Sequence, residues 1–312
     1  MRRVLSIDGG GIKGVFPAAF LASLESCLQN RVTDYFDLIV GTSTGGIIAL
    51  GLGMGMAAKE VLGFYETYGP SIFSGNPKLA WFRHWRRAKY SPEPLRVALS
   101  GVFGDRRLGD SRKRLVIPSL NIDTGEVHVW KTSHHPHLEL DYKHSAVEVA
   151  LSTAAAPTYF PTYQSETGVP LIDGGVWANN PIAVALVECI GVLGWVRDDI
   201  RVLSLGCTTT PLTVNWGRTH SLGKFGWASK IIDVFVAAQS SSAFGMAQHL
   251  IGDRQNIVRI SPAVGPRYNL DKVSEIPSLR GLGETEARKA LPELQRKFFV
   301  SPLAEEFTPF HS

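Results

Sequence analysis

Cysteine is scarce. Only Cys27, Cys189 and Cys207 are present, with no C-x-x-C pair and an odd count. That excludes a cysteine-based zinc set and a closed disulfide framework, and it fits reduced structural thiols in a cytoplasmic protein. Net charge is low. Thirty-two Lys and Arg against 28 Asp and Glu leave +4, too little to argue for a nucleic-acid polymer as partner, though mildly favourable to anionic surfaces such as lipid headgroups. No internal repeat, low-complexity tract or G-x-x-x-x-G-K-[ST] phosphate loop occurs. The basic start Met1-Arg2-Arg3 is followed by an apolar stretch of only Val4 to Ile7 before Asp8, so no signal-peptide core exists. One stretch, Leu38 to Ala58, lacks charge and is long enough to span a bilayer. It holds Gly41, Gly45, Gly46, Gly51, Gly53 and Gly55, with almost no apolar side chain from 41 to 46, so it is expected to be buried in protein.

What is present is an ordinary globular composition, 44% hydrophobic and 19% charged, and three glycine-bearing motifs at the ends of apolar runs. The first is Gly41-Thr42-Ser43-Thr44-Gly45, a G-x-S-x-G after Phe36-Asp37-Leu38-Ile39-Val40. A buried strand, a serine and then a buried helix describe a nucleophile elbow, in which glycines let the backbone crowd and the hydroxyl is pushed outward. The second is Asp8-Gly9-Gly10-Gly11-Ile12-Lys13-Gly14, after the strand Arg3 to Ile7 and before a helix near Pro17. Successive glycines give amides able to converge on one negative oxygen, and losing one such donor costs roughly 100- to 1000-fold in turnover. The third is Val169 to Gly175, a short strand ending in Asp173-Gly174-Gly175. A carboxylate there could accept the Ser43 proton, a contribution of about 100- to 10,000-fold.

In their order along the chain, glycine loop, serine elbow and Asp-Gly-Gly turn, the three segments resemble the patatin-like phospholipases. Ala154 to Phe160 and Val176 to Pro181 look similar as well. The resemblance covers residues 1 to about 210. It implies a three-layer α/β fold, a mostly parallel central sheet with helices on both faces. It also implies Ser43 as nucleophile, Asp173 as its dyad partner, and Gly9, Gly10 and Gly11 as the oxyanion hole. Asp8, Lys13, Gly14, Gly41, Gly45, Gly174 and Gly175 are the motif positions around them. The implied activity is hydrolysis of phospholipid acyl esters without a metal or cofactor, in a cytoplasmic enzyme peripheral at the membrane when active. Arg3 to Gly14 and Tyr65 to Phe73 further resemble a bacterial branch whose members act in anti-phage defence and are activated by a cyclic dinucleotide. In that case the basic residues within 83–114, or the C-terminal part, are expected to bind the messenger.

Strands are predicted at Val4–Ile7, Phe36–Val40, Leu115–Ile122, Val127–Lys131, Leu171–Ile172, Val202–Leu205 and Ile257–Ile260. Helices are predicted at Pro17–Leu28, Gly46–Ala57, Lys59–Tyr68, Pro92–Gly101, Ser145–Ala154, Pro181–Val192, Lys230–Leu250 and Glu284–Phe298. The alternation argues for a parallel sheet covered on both faces. The whole chain, 1–312, reads as one acyl-hydrolase domain with a mainly helical C-terminal extension from about 230. Residues 70–114 and 206–229, rich in Gly, Pro, Ser and basic residues, read as excursions from the sheet.

Competing readings come from the same residues. Gly9, Gly11 and Gly14 also satisfy G-x-G-x-x-G, which would suit a dinucleotide, but Asp8 would repel the pyrophosphate. A soluble esterase or thioesterase would use the same dyad. Ser43, Asp173 and His220 or His249 run in α/β-hydrolase triad order, though neither histidine sits in a strand-end glycine turn. His134-His135-Pro136-His137 lacks a completing metal ligand nearby and is expected in a solvated loop. Lys13 either attracts a phosphate headgroup or is a solvated loop-end cation. Asn179 and Asn180 are expected to brace the loop after Asp173. Trp81 to Lys89, aromatic and basic, suits either a lipid interface or an amphipathic helix packed on the body. Arg106-Arg107 and Arg112-Lys113-Arg114 are expected on a solvated face.

Overall fold

The computed structural model describes residues 1–74, 88–209, 231–264 and 268–312. Among them eight strands form one sheet: β1 (Arg2–Ile7), β2 (Leu38–Gly41), β3 (Arg114–Asn121), β4 (Val127–Lys131), β5 (Tyr163–Gln164), β6 (Pro170–Asp173), β7 (Ile200–Leu205) and β8 (Ile257–Ile260). Hydrogen-bonded neighbours run β5-β6-β3-β2-β1-β7-β8, and β4 pairs the edge of β3 opposite β2 and β6. The run β3-β2-β1-β7-β8 is parallel; β4 and β6 pair antiparallel to β3, and β5 antiparallel to β6. The helices are α1 (Val15–Glu25), α2 (Thr44–Gly53), α3 (Ala58–Ile72), α4 (Glu93–Phe103), α5 (Ala146–Thr153), α6 (Gly175–Ala178), α7 (Ile182–Val187), α8 (Ile231–Leu250) and α9 (Ile276–Lys297).

The three layers follow from strand alternation. Along β1, Leu5 and Ile7 pack on one face with α1, α2 and α9, while Val4 packs on the other with α7 and α8. Likewise Ile39, Leu203 and Leu205 join the first layer, and Leu38, Val40, Ile200 and Val202 the second. A sheet covered on both faces needs apolar residues at successive positions, which is why these strands read as near-continuous hydrophobic runs. The architecture is therefore the expected three-layer α/β with a mostly parallel sheet.

Leu38 to Ala58 forms β2, the elbow and α2, and every residue of α2 is buried. Among the described residues no helix is long and apolar enough to cross a membrane. Beyond residue 230, β8 extends the sheet edge and α9 packs along α1. Helix α9 begins eight residues before its predicted start at Glu284, and its first turns contain Gly281 and Gly283. Gly283 allows a close crossing: a Cβ there would stand 2.6 Å from the Phe16 carbonyl oxygen of α1. Helix α2 begins at Thr44 rather than Gly46, since its capping residue is Ser43 itself. The two-residue strand β5 and the single turn α6 are too short to leave a periodic signal.

Pairing along β3 creates the site. On one edge, β2 runs parallel to it from Leu38 opposite Arg114 to Val40 opposite Val116. On the same edge β6 runs the other way, from Leu171 opposite Asn121 to Asp173 opposite Ser119. The carboxyl ends of two strands thus meet head-on across a gap beside Ile117 and Pro118. A proline fits there because its missing N–H leaves no ladder bond unmade.

Candidate active site

Ser43 lies where β2 turns into α2, with φ +55° and ψ −122°. Such a backbone costs of order 1–3 kcal/mol in a non-glycine residue and persists only when neighbours enforce it. They do so by close approach: a Cβ on Gly45 would overlap the Ile7 carbonyl oxygen at the end of β1. The Ser43 amide donates to Thr153 Oγ1 at 3.0 Å, and that hydroxyl donates to the Pro118 carbonyl at 2.6 Å. Thr42 Oγ1 donates to the Ala178 carbonyl at 2.6 Å, and Thr44 Oγ1 to the Tyr65 hydroxyl at 2.7 Å.

Asp173 ends β6, its amide donating to the Ala155 carbonyl at 3.0 Å. Its Oδ2 accepts the Ser43 hydroxyl at 2.6 Å and its Oδ1 the Gly175 amide at 2.6 Å. Both side chains are buried. Burial disfavours the charged carboxylate more than these two bonds favour it, so its pKa is pushed up to about 6. The carboxyl is still mostly ionised at neutral pH while being far more basic than an ordinary aspartate. Its bonds engage Ser43 and Gly175; His249 is exposed on α8, and His220 lies outside the described residues.

The glycine loop is fixed from outside. Gly9 donates to the Asn179 carbonyl at 2.9 Å and Ile12 to the Leu270 carbonyl at 2.7 Å. Of the three amides expected to be free, that of Gly9 is therefore engaged. Those of Gly10 and Gly11 have no protein acceptor among the described residues. Gly9 packs on the nucleophile: a Cβ there would stand 3.2 Å from Ser43 Cβ and 2.6 Å from Asn179 Oδ1. Gly11, at φ +56°, backs onto the Leu270 carbonyl. Gly14 abuts Thr44, Gly41 abuts Gly45, and Gly174 abuts the Pro118 carbonyl.

Beneath the loop, Asp8 forms a two-pronged ion pair with Arg259 of β8, at 2.7 and 2.5 Å. Burial pushes the Asp8 carboxyl up and Arg259 pulls it back. Arg259 also donates to Ser204 Oγ at 2.7 Å. Cys207 Sγ donates to the Asp8 carbonyl at 3.3 Å, and burial raises its thiol to about 12, leaving it unreactive at neutral pH. The Lys13 ammonium is lowered by burial, with Cys207, Asp233 and Asp8 as its electrostatic neighbours.

Other expected positions divide. Asn180 braces the loop as expected, accepting from the Ile182 amide at 3.2 Å and donating to Ser240; Asn179 acts through its backbone, donating to Gln239 Oε1 at 2.6 Å. His134 is buried rather than solvated, bonded to Thr132 Oγ1 at 2.8 Å and Glu188 Oε1 at 2.9 Å. Arg106 caps helix-end carbonyls of Val102 and Phe103, and Arg114 lies over the Phe307 and Trp195 rings, so the basic runs are partly packed rather than simply solvated. Residues 81–87 of the aromatic basic segment lie outside the described residues. Among the described residues the donor atoms of His144, Glu148 and Glu166 lie within 4.8 Å of one another, but His144 and Glu148 are already bonded to each other at 2.8 Å. Arg259, Thr153 and Leu270 escaped sequence reasoning because no motif marks them; a buried-looking arginine in the apolar strand Ile257–Ile260 was the one signal available.

A family model described as patatin-like phospholipase matches residues 5–186. The chain belongs to this family. With it comes the reaction class: the protein is a hydrolase. It is 36% identical over 299 residues to a cGAMP-activated phospholipase of Pseudomonas aeruginosa (strain BWHPSA011 / Pa011), covering 92% of this chain and 88% of that one. It is 31% identical over 261 residues to a cGAMP-activated phospholipase of Vibrio cholerae serotype O1, covering 76% and 74%. It is 32% identical over 296 residues to Patatin-like protein 2 of Oryza sativa subsp. japonica, covering 77% and 70%. Among solved structures, VipD from Legionella pneumophila aligns with a TM-score of 0.48 and 13% identity, covering 94% of this chain and 67% of that one.

Proposed function

We propose that this patatin-like hydrolase cleaves fatty acyl esters of membrane phospholipids through a Ser43–Asp173 dyad. The observation that carries the reading is the 2.6 Å bond from the Ser43 hydroxyl to a buried carboxylate of raised basicity. Ser43 Oγ attacks the ester carbonyl carbon while its proton passes to Asp173 Oδ2. The oxyanion is held by the amides of Gly10 and Gly11, at the positive end of the α2 dipole. Asp173 returns the proton to the departing alcohol, then takes one from water, whose oxygen attacks the acyl–Ser43 carbonyl and releases the fatty acid. Ser43→Ala and Asp173→Asn should each lower hydrolysis of phospholipid vesicles at least about 1000-fold while leaving the fold intact. Near-normal activity in either variant would discard the dyad. A fluorophosphonate should label Ser43 in the wild type alone.

The substrate would be met at a membrane surface, with the protein peripheral there. The relatives from Pseudomonas and Vibrio are named for activation by cGAMP, which supports a cyclic dinucleotide as activator here and a role in anti-phage defence. Product analysis of mixed phospholipids with and without cGAMP tests this: a rate increase with the nucleotide is expected, and equal rates would remove the activator from the reading.

A further inference from the structure

The two halves of the proposed site, the carboxylate and the amide donors, are tied to one turn by a chain of contacts. The turn after α5, Ala154 to Phe160, holds Asp173 directly through the Ala155 carbonyl at 3.0 Å. It also accepts two amides from the segment before α4: Lys89 N–H donates to the Thr158 carbonyl at 2.9 Å and Tyr90 N–H to the Tyr159 carbonyl at 2.8 Å. The Tyr90 ring is wedged edge-on against Phe73 at 5.5 Å and packs on Phe160 at 6.0 Å, so its position is fixed by packing as well.

Asp271 reads that position out. Its Oδ2 accepts the Tyr90 hydroxyl at 2.8 Å and forms an ion pair with Lys89 Nζ. The residue before it, Leu270, places its carbonyl on the glycine loop. That carbonyl takes the Ile12 amide at 2.7 Å and lies where any Cβ on Gly11 would stand. With Gly9 held by Asn179 and Ile12 held by Leu270, the amides of Gly10 and Gly11 between them have no acceptor among the described residues.

From this geometry we infer that Asp271 is a positioning residue for the oxyanion loop. It clamps the Leu270 carbonyl against Gly11 and Ile12, and thereby aligns the Gly10 and Gly11 amides with the carbonyl carbon that Ser43 attacks. Because Tyr90 and Asp173 hang from the same turn, one element sets the spacing between base and oxyanion donors. Such alignment matters: a misplacement of about 1 Å can cost on the order of 100-fold in rate. The inference rests on the proposed function, since it assumes that Gly10 and Gly11 stabilise charge.

The test compares wild type, Asp271→Ala, Asp271→Asn and Tyr90→Phe, as full chains, on the ester that the wild type hydrolyses in a Ser43-dependent manner. Asp271→Ala should lower kcat about 10- to 100-fold with KM changed by less than about 3-fold. Fluorophosphonate should still titrate the same fraction of chains, only more slowly, and amide exchange in a peptide spanning the glycine loop should quicken. Asp271→Asn keeps an acceptor for Tyr90 and should recover part of the rate. Tyr90→Phe, a smaller change that guards against misfolding, should lower kcat by a factor of about 3 to 10. An unchanged kcat in Asp271→Ala, or a loss matched by the untitratable fraction, would overturn the inference. A wild type whose activity survives Ser43→Ala would instead overturn the reading beneath it.

Discussion

Between Leu38 and Gly53 the serine elbow carries its own frame in sequence, a four-residue strand, two glycines that tolerate crowding, and a fully buried helix whose first residues follow the nucleophile, and Ile7, Tyr65, Thr153 and Ala178 meet that frame from outside. Asp8 to Gly14, a short distance away, is assembled from strangers. Asn179, Leu270, Cys207 and Arg259 each fix a different atom of it. A strained conformation framed by its own strand and helix should resist the loss of any single outside contact. A loop of glycines has no side chains with which to hold itself, so its geometry is imposed by distant residues and can be disturbed through any of them.

The largest expected effect strikes the loop from outside. Arg259→Ala removes the partner of a buried carboxylate, and breaking such a pair costs about 3–5 kcal/mol. Denaturant unfolding should record that loss, with a Ser43-labelling rate that falls in the molecules still folded; a loss under about 1 kcal/mol would show that Asp8 is not held as argued.

A middle-sized effect comes from Asp173. Its folded pKa of about 6 lies above the reference value of 3.8. Protonation therefore favours the folded state, a contribution complete below the unfolded pKa and lost as pH rises through the folded one. At neutral pH the ionised group costs up to about 3 kcal/mol. Asp173→Asn should thus be more stable than wild type, and its advantage should grow by about 1 kcal/mol from about pH 5 to about pH 8. Hydrolysis should move the other way, with kcat/KM falling about tenfold per unit below about pH 6 as the base is protonated. A profile flat down to about pH 4 would contradict the assignment of this carboxylate as base.

The smallest effect tests one of the elbow's distant supports, the Thr153 hydroxyl. Thr153→Val leaves the Ser43 amide and the Pro118 carbonyl without their shared hydroxyl, a cost of about 1–3 kcal/mol. If the elbow is locally enforced, the surviving folded protein should keep kcat within about 5-fold of wild type. A loss as deep as that of Asp271→Ala would erase the contrast between the two loops.

What could be read from sequence follows the same division. The seven predicted strands all occur; the central ones, β1, β2, β3 and β7, are apolar runs between turn residues, and burial on both faces leaves little polar alternation to mislead. Ser43 and Asp173 stood out since the chemistry of a turn at a strand end leaves glycines beside it. Asp271 did not stand out, and Arg259 was marked only as an arginine within an apolar strand: an ion pair between residues far apart names neither partner to the other. The early turns of α9 were not legible, since a glycine that ends a helix and one that admits a neighbouring helix, as Gly283 does, are the same letter. His134 was misplaced for a related reason, as its burial depends on bonds to Thr132 and to Glu188, which lies far along the chain.

Strand β3 serves as a ruler for the chemistry. Because β2 and β6 are registered on one edge of it from opposite directions, the separation of hydroxyl and carboxylate is counted in β3 residues. Deleting one residue from that strand near Ile117 would shift β6 by about 3.3 Å and turn its side chains to the opposite face. Point substitutions along β3 leave the count alone, so this stretch should accept changes of side chain far more readily than changes of length.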